Sequence, residues 1–254
     1  MRSPLHWGSV SANHHYRVEV LMPEITAPLC LLFDSDGTLV DSEILLAEVM
    51  GETLPEFGLP FSAQQYMEEF RGVRFLDIVL TIEQRVTPLT DARRSELEAL
   101  MRQRMEQRMT AELQPIAGIP EALATLRDFP KSVVSNGPLA KIRCAMAATG
   151  LAHHFGENLF SAYELQVWKP DPGLYLAAAE AMGYPAERCV VIDDAAVGVQ
   201  AGLEAGMQVI HLNHFADQES TPDGAIGITH AQQLAELIPQ MAEKLSITLS
   251  DAIL

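Results

Sequence analysis

The stretch Pro28-Leu29-Cys30-Leu31-Leu32-Phe33-Asp34-Ser35-Asp36-Gly37-Thr38-Leu39-Val40-Asp41-Ser42-Glu43 frames the reading of the whole chain. Its first six residues form a continuous apolar run that ends at Asp34. A run without polar alternation suits a strand buried on both faces of a sheet. Three other runs share that character: Lys131 to Ser135, Arg188 to Asp193, and Met207 to His211. Helical stretches lie between them. Pro138 to Thr149 stops at Gly150, Pro172 to Met182 stops at Gly183, and Ala195 to Ala205 stops at Gly206. The first two carry proline at the start and glycine past the end, the usual punctuation of helices. Strands alternating with helices predict an α/β protein, a doubly wound parallel sheet with helices on both faces.

One region breaks the alternation. From Ser42 to about Gln114 the sequence shows helical periods and no convincing strand, with Leu97, Leu100, Met101, Met105 and Met109 at helix spacing. Ser42–Phe57, Ala63–Phe70 and Phe75–Arg85 also read as helices. The expected organisation is a core made of residues 28–41 and 115–245, an inserted all-helical cap over 42–114, and a mobile leader over 1–27. Gly58, Pro60, Gly72, Pro88, Pro115 and Gly118 mark the joints of the insert. Gly198, Gly202 and Gly206 recur every four residues and predict close approach of a helix to the sheet.

Composition narrows the function. Of 254 residues, 48% are hydrophobic and 20% charged, enough for a buried core and against wholesale disorder. The net charge of −17 disfavours nucleic acid and anionic membrane surfaces as partners. For an anionic ligand, local cations would have to reverse that field. No apolar run is long enough for a transmembrane helix. Cys30, Cys144 and Cys189 are odd in number and form no C-x-x-C pair, which predicts reduced thiols and a cytoplasmic location. The leader lacks a secretory pattern. Oligomeric state is not set by the sequence, and a monomer fits it.

Four pieces carry chemistry. Asp34 and Asp36 stand at the carboxyl end of a buried strand, where ligands bind in open α/β sheets. Carboxylates there are costly unless a positive group joins them, and a hard cation such as Mg²⁺ would do so. A turn with capping aspartates would use the same residue types, while the spacing excludes an EF-hand. Asp193-Asp194 close a second apolar run and suggest another wall of one cation site. Ser135-Asn136-Gly137 gather a hydroxyl, an amide and turn N–H groups suited to an anion, though such a triplet is also an ordinary turn. Lys169, one of only four lysines, sits in Trp168-Lys169-Pro170-Asp171-Pro172. A lysine beside carboxylates can neutralise both them and a phosphate. The order of the four pieces predicts four successive strand ends.

These residues resemble the haloacid dehalogenase (HAD) superfamily of Mg²⁺-dependent phosphatases, in the branch with a helical cap inserted after the first strand. Residues 33–43 are similar to that family's first motif, Ser135 to the second, Lys169 to the third, and Asp193-Asp194 to the fourth. Ser35 falls at a variable position, and Ala195 stands where many relatives carry serine. The resemblance implies a Rossmann-like core and an aspartyl-phosphate mechanism. In it Asp34 is the nucleophile and Asp36 the acid/base, with a proton affinity near working pH. Mg²⁺ would be held by Asp34, the Asp36 carbonyl and Asp194, with Asp193 adjacent or acting through water. Ser135, Asn136 and Lys169 would hold the phosphoryl group.

The implied substrate is a small phosphorylated metabolite. The Phe-Arg-Gly-Val-Arg, Val-Ser-Asn-Gly-Pro and Trp-Lys-Pro-Asp-Pro segments are most similar to enzymes of this superfamily that hydrolyse 6-phosphogluconate. Arg71 and Arg74 in the cap are the expected substrate contacts. Phosphoglycolate and hexose 6-phosphates remain open, as does a non-catalytic phosphosugar-binding regulator. A β-phosphoglucomutase-like mutase is disfavoured, since Leu46 occupies the position of that branch's histidine. Dehalogenase relatives lack the second aspartate, so Asp36 argues against dehalogenation. Arg93, Arg94, Arg102, Arg104 and Arg108 are expected to form a solvated face of a long helix. His211 with His214, or His153 with His154, lacks a third ligand for a metal site.

Overall fold

The computed structural model describes residues 27–70, 73 and 75–251. The expected leader falls outside the described residues except for Ala27, as do Arg71 and Arg74. Six parallel strands form one sheet in the order β3-β2-β1-β4-β5-β6. They are β1 (Cys30–Phe33), β2 (Lys131–Ser135), β3 (Leu159–Ser161), β4 (Cys189–Asp193), β5 (Gln208–Leu212) and β6 (Ile226–Ile228). β1 lies between β2 and β4, with Leu31 opposite both Lys131 and Val190.

Strand geometry turns successive side chains to opposite faces. Leu31 and Phe33 of β1 therefore enter one apolar cluster with Val133, Val190, Ile192 and Ile210. Cys30 and Leu32 enter a second cluster with Val134, Cys189, Val191 and Val209. Both faces are covered, which explains why the strands read as unbroken apolar runs. Cys30 and Cys189 are fully buried register partners on neighbouring strands, and both are free thiols.

The four anticipated strands are present. β3 and β6, three residues each at the sheet edges, escaped the sequence reading because so short a run has no period to detect. The terminal helix Leu234–Asp251 also went unread; Pro239 inside it masks the pattern. Asp34 follows β1, Ser135 ends β2 and Asp193 ends β4. Lys169 departs from the expected four strand ends: it lies in the loop before the helix Gly173–Met182, well beyond the end of β3.

The segment between β1 and β2 is helical up to its return to the sheet, with its longest helices at Glu43–Thr53, Phe75–Glu83 and Asp91–Glu112. Its two connections to the sheet run side by side. The Asp41 N–H donates to the Gln114 carbonyl at 3.0 Å and the Ile116 N–H to Leu39 at 3.0 Å. Leu97, Met101, Met105 and Met109 are buried as their spacing implies. Arg93 and Arg102 are exposed as expected, whereas three other arginines of the long helix depart from a solvated face. Arg94 pairs with buried Glu83 at 2.9 Å, Arg104 with Glu56 at 2.9 Å, and Arg108 with Glu48 and Glu52. Cross-helix partners, invisible in a one-helix pattern, convert a solvated face into a seam.

The glycine series divides by position. On the helix Ala196–Glu204, Gly198 and Gly202 are buried against the sheet. A Cβ on Gly202 would lie 2.8 Å from Val209 Cγ2 and 3.1 Å from Val191 Cβ. Gly206 departs from the close-approach expectation: it faces open space and serves a left-handed φ of +73° after the helix. Gly202→Val tests this packing. The helical preference of a side chain over glycine contributes under about 1 kcal/mol, whereas overpacking costs about 1–3 kcal/mol. We expect a net loss, seen as a lower thermal midpoint by about 2–4 °C per kcal/mol.

Candidate active site

Asp34 leaves β1 with its N–H bonded to the Ile192 carbonyl at 2.9 Å, so its carboxylate emerges beside the end of β4. Lys169 reaches into that gap. Its Nζ donates to Asp34 Oδ1 at 2.6 Å and to Asp193 Oδ2 at 2.8 Å, with the side chain almost wholly buried. Asn136 holds the lysine backbone from both sides. Its Oδ1 accepts from the Lys169 N–H at 2.8 Å, and its Nδ2 donates to the Lys169 carbonyl at 3.2 Å. The amide side chain thus positions the lysine loop. Ser135 Oγ accepts from the Gly137 N–H at 3.0 Å, leaving the hydroxyl hydrogen free to point outward.

Asp193 is anchored at both oxygens. Oδ1 accepts from the Ala195 N–H at 2.9 Å, and Oδ2 from Lys169 and from the Tyr175 hydroxyl at 2.7 Å. Asp194 is held by the Thr38 hydroxyl at 2.8 Å. Gly37, at φ +83°, lets the turn pass against Asp194; a Cβ there would stand 2.2 Å from Oδ2. Histidines brace the same loops. His211 bonds the Asp194 carbonyl at 3.1 Å, and His214 bonds the Gly37 carbonyl at 2.7 Å. The second aspartate of the motif, Asp36, takes the Lys141 ammonium at 2.8 Å and the Ser42 hydroxyl on one oxygen, Oδ1.

Four carboxylates thus meet two ammonium groups, and the imbalance appears in their proton affinities. Burial, opposed by Lys169 but reinforced by Asp193 and Asp36, pushes Asp34 up to about 7. Burial with the charges of Asp193 and Asp34 raises Asp194 well above the carboxylate range. Burial also opposes ionisation of Asp36, yet Lys141 and Ser42 outweigh it and the net direction is downward. The expectation of an acid/base group poised near working pH does not describe Asp36 with Lys141 bound to it. Lys169 is held protonated: burial works against it, but Asp193 and Asp34 overcome the penalty.

The excess negative charge fits a divalent cation. One oxygen each from Asp34, Asp193 and Asp194 lie within 4.8 Å of one another. Oxygen-only donors of this kind suit a hard ion. Because Asp193 is engaged at both oxygens, Asp34 and Asp194 are the freer ligands. Sequence reasoning missed Lys141, Thr38, Ser42 and Tyr175. Thr38 and Ser42 lie within the motif at residues 33–43 without a role having been assigned to them, and Lys141 is one of only four lysines, six residues after Ser135.

With this geometry in hand, likeness to known proteins becomes informative. The family model of haloacid dehalogenase-like hydrolases matches residues 29–206. The chain is 35% identical to the 6-phosphogluconate phosphatase of Escherichia coli (strain K12), over 82% of this chain and 93% of that one. It is 30% identical to hexitol phosphatase A of the same organism, covering 73% and 83%. Among solved structures, a HAD family hydrolase from Deinococcus radiodurans with bound phosphate and sodium superposes with a TM-score of 0.65. It is 31% identical and covers 85% of this chain and 96% of that one.

Raised carboxylate proton affinity makes cation binding pH-dependent. Asp34 ordinarily ionises near 3.8 but here near 7, so the apo fold loses stability as pH rises through that window. A cation competes with the proton for the same oxygens. Added Mg²⁺ should therefore raise the thermal midpoint more at pH 8 than at pH 6; an equal shift at both would show that it binds elsewhere.

Proposed function

Since the chain belongs to the haloacid dehalogenase-like hydrolase family, we propose that it is a phosphatase of a small phosphorylated sugar or sugar acid, with 6-phosphogluconate as the preferred substrate. The observation that carries the reading is the Asp34 carboxylate, gripped at 2.6 Å by buried Lys169 and clustered with Asp193 and Asp194. Residues 28–41 and 115–245 act as the catalytic core and 42–114 as a cap, with hinges near Asp41–Ser42 and Pro115–Gly118.

Asp34 attacks phosphorus, forming an aspartyl-phosphate as the phosphorus–oxygen bond to the alcohol breaks. Dividing the displacement into two steps is the gain of covalent catalysis. Asp36 gives a proton to the departing alcohol oxygen and recovers one from the water that then hydrolyses the intermediate. Its carboxyl must be protonated first, so the Lys141 contact that favours the anion has to weaken when substrate enters. Lys169, tied to the nucleophile, and the Ser135 hydroxyl steady the phosphoryl oxygens. In such transfers positioning and charge stabilisation supply most of the rate. Asp34, Asp194 and the Asp36 carbonyl would hold Mg²⁺. The ion, when bound, offsets negative charge on the nucleophile and on the phosphoryl group.

The substrate choice is supported by the likeness to a 6-phosphogluconate phosphatase and by Arg71 and Arg74, guanidinium groups suited to a carboxylate. Mutase chemistry is disfavoured because Leu46 packs apolar against the core where a proton-carrying histidine would be needed.

Asp34→Asn should abolish Mg²⁺-dependent phosphate release. Removing one buried charge from an over-negative cluster should leave the thermal midpoint unchanged or higher. A phosphate-release screen over 6-phosphogluconate, hexose 6-phosphates and phosphoglycolate tests the substrate. A folded D34N that keeps near-normal turnover removes Asp34 from the nucleophile role, and a stronger preference for a neutral hexose phosphate removes the acid-sugar assignment. Loss of a single preorganised contact to the phosphoryl group, as in Ser135→Ala, should cost about 3 kcal/mol, or roughly 100-fold in rate.

A further inference from the structure

Lys141 is placed differently from the other lysine of the site. Lys169 is buried against Asp34, with its side chain 3% exposed, whereas the side chains of Lys141 and Asp36 are 29% and 28% exposed. Lys141 sits in the first turn of the helix Leu139–Ala148. Its stem passes close to Gly137, where a Cβ would lie 3.6 Å from Lys141 Cδ and 3.8 Å from Asp36 Oδ2. Both partners of Asp36, Lys141 and Ser42, hold the same oxygen, Oδ1. Oδ2 has no hydrogen bond among the described residues and is the oxygen left for an incoming group.

That arrangement limits what can stand next to the ammonium. A leaving-group oxygen must come within about 3 Å of the Asp36 carboxyl. Lys141 Nζ is itself 2.8 Å from that carboxyl. Two hydrogen-bond lengths reach about 6 Å, the neighbourhood of the ester oxygen and the next one or two atoms of the alcohol, but not the far end of a six-carbon chain. An ammonium offers three donors and no acceptor, so it favours an oxygen there and gains nothing from a methyl group.

We infer that Lys141 is a specificity-determining residue: it receives an oxygen on the carbon next to the ester-bearing carbon, so that the enzyme selects phosphate monoesters carrying a hydroxyl or carboxylate at that position. The inference rests on the phosphatase reading of Asp34 and Asp36.

Ethyl phosphate, 2-hydroxyethyl phosphate and phosphoglycolate differ at that position and separate a missing oxygen from a hydroxyl and from a carboxylate. The measured quantity is the ratio of kcat/KM for each oxygen-bearing ester to that for ethyl phosphate. A charge-assisted hydrogen bond should make at least one ratio about ten-fold or more in the wild-type protein. Lys141→Met should bring it close to one, and Lys141→Arg should retain most of it. Ser42→Ala removes the other partner of the same Asp36 oxygen; it should slow all the esters alike and leave the ratios in place. Any general damage to Asp36 cancels in these ratios. Should K141M fail to fold, Lys141→Gln carries the same comparison.

A wild-type ratio near one for both oxygen-bearing esters, or ratios that survive in K141M, overturns the assignment while leaving the phosphatase reading intact. Ratios that fall equally in S42A show that the effect comes through Asp36, and overturn it too. A wild-type protein that releases phosphate from no ester at all defeats the phosphatase reading itself.

Discussion

A buried ammonium held between two carboxylates is the constraint on which the site depends. Lys169 joins Asp34 from the end of β1 to Asp193 from the end of β4, and with Tyr175 it fills the space beneath them. Burying either carboxylate without a counter-charge would be prohibitive, and burying the lysine alone equally so. The surroundings serve this contact. Asn136 clamps the lysine loop, and Gly198 lets the following helix come close enough that a Cβ would sit 1.7 Å from Asp193 Oδ2. The rigid sheet supplies the register that puts Phe33 beside Ile192.

The charge distribution resolves a tension in the composition. A chain with net charge −17 is a poor host for a phosphate ester. Two of its four lysines are nevertheless concentrated at the aspartate cluster, where low surrounding polarity magnifies their effect. They leave a residual negative charge, suited to a divalent ion, and the raised proton affinities of Asp34 and Asp194 register that residue of uncompensated charge. The two lysines are not equivalent. The enclosed one is buried between two carboxylates, while the other is partly exposed beside Asp36.

The helical insert is held by its apolar face, with ion pairs added across its helices. Met101, Met105 and Met109 bury the long helix, and Arg94, Arg104 and Arg108 tie it to neighbouring elements. Exposed pairs of this kind contribute little individually, but Arg94 and Glu83 are shielded and geometrically tight. The paired connections at Leu39–Asp41 and Gln114–Ile116 join the insert to the sheet through two backbone hydrogen bonds.

How much of this was legible follows from the range of each interaction. The apolar runs, the proline and glycine punctuation and the aspartates at strand ends are local patterns, so the parallel sheet, the helical insert and the acidic residues could be read from the chain alone. Edge strands of three residues were too short for any period, and Pro239 hid the last helix. Partnership was not legible. That Asn136 would turn its amide to the Lys169 backbone, that Lys141 would meet Asp36, and that His211 and His214 would brace carbonyls of the site loops depends on segments that are distant in sequence. The sequence by itself determined which chemical groups the site possesses, because residue type and local spacing carry that information. Only the tertiary structure decided which group neutralises which, because charge pairing depends on distance through space, and the strand order β3-β2-β1-β4 brings together residues that the chain keeps far apart.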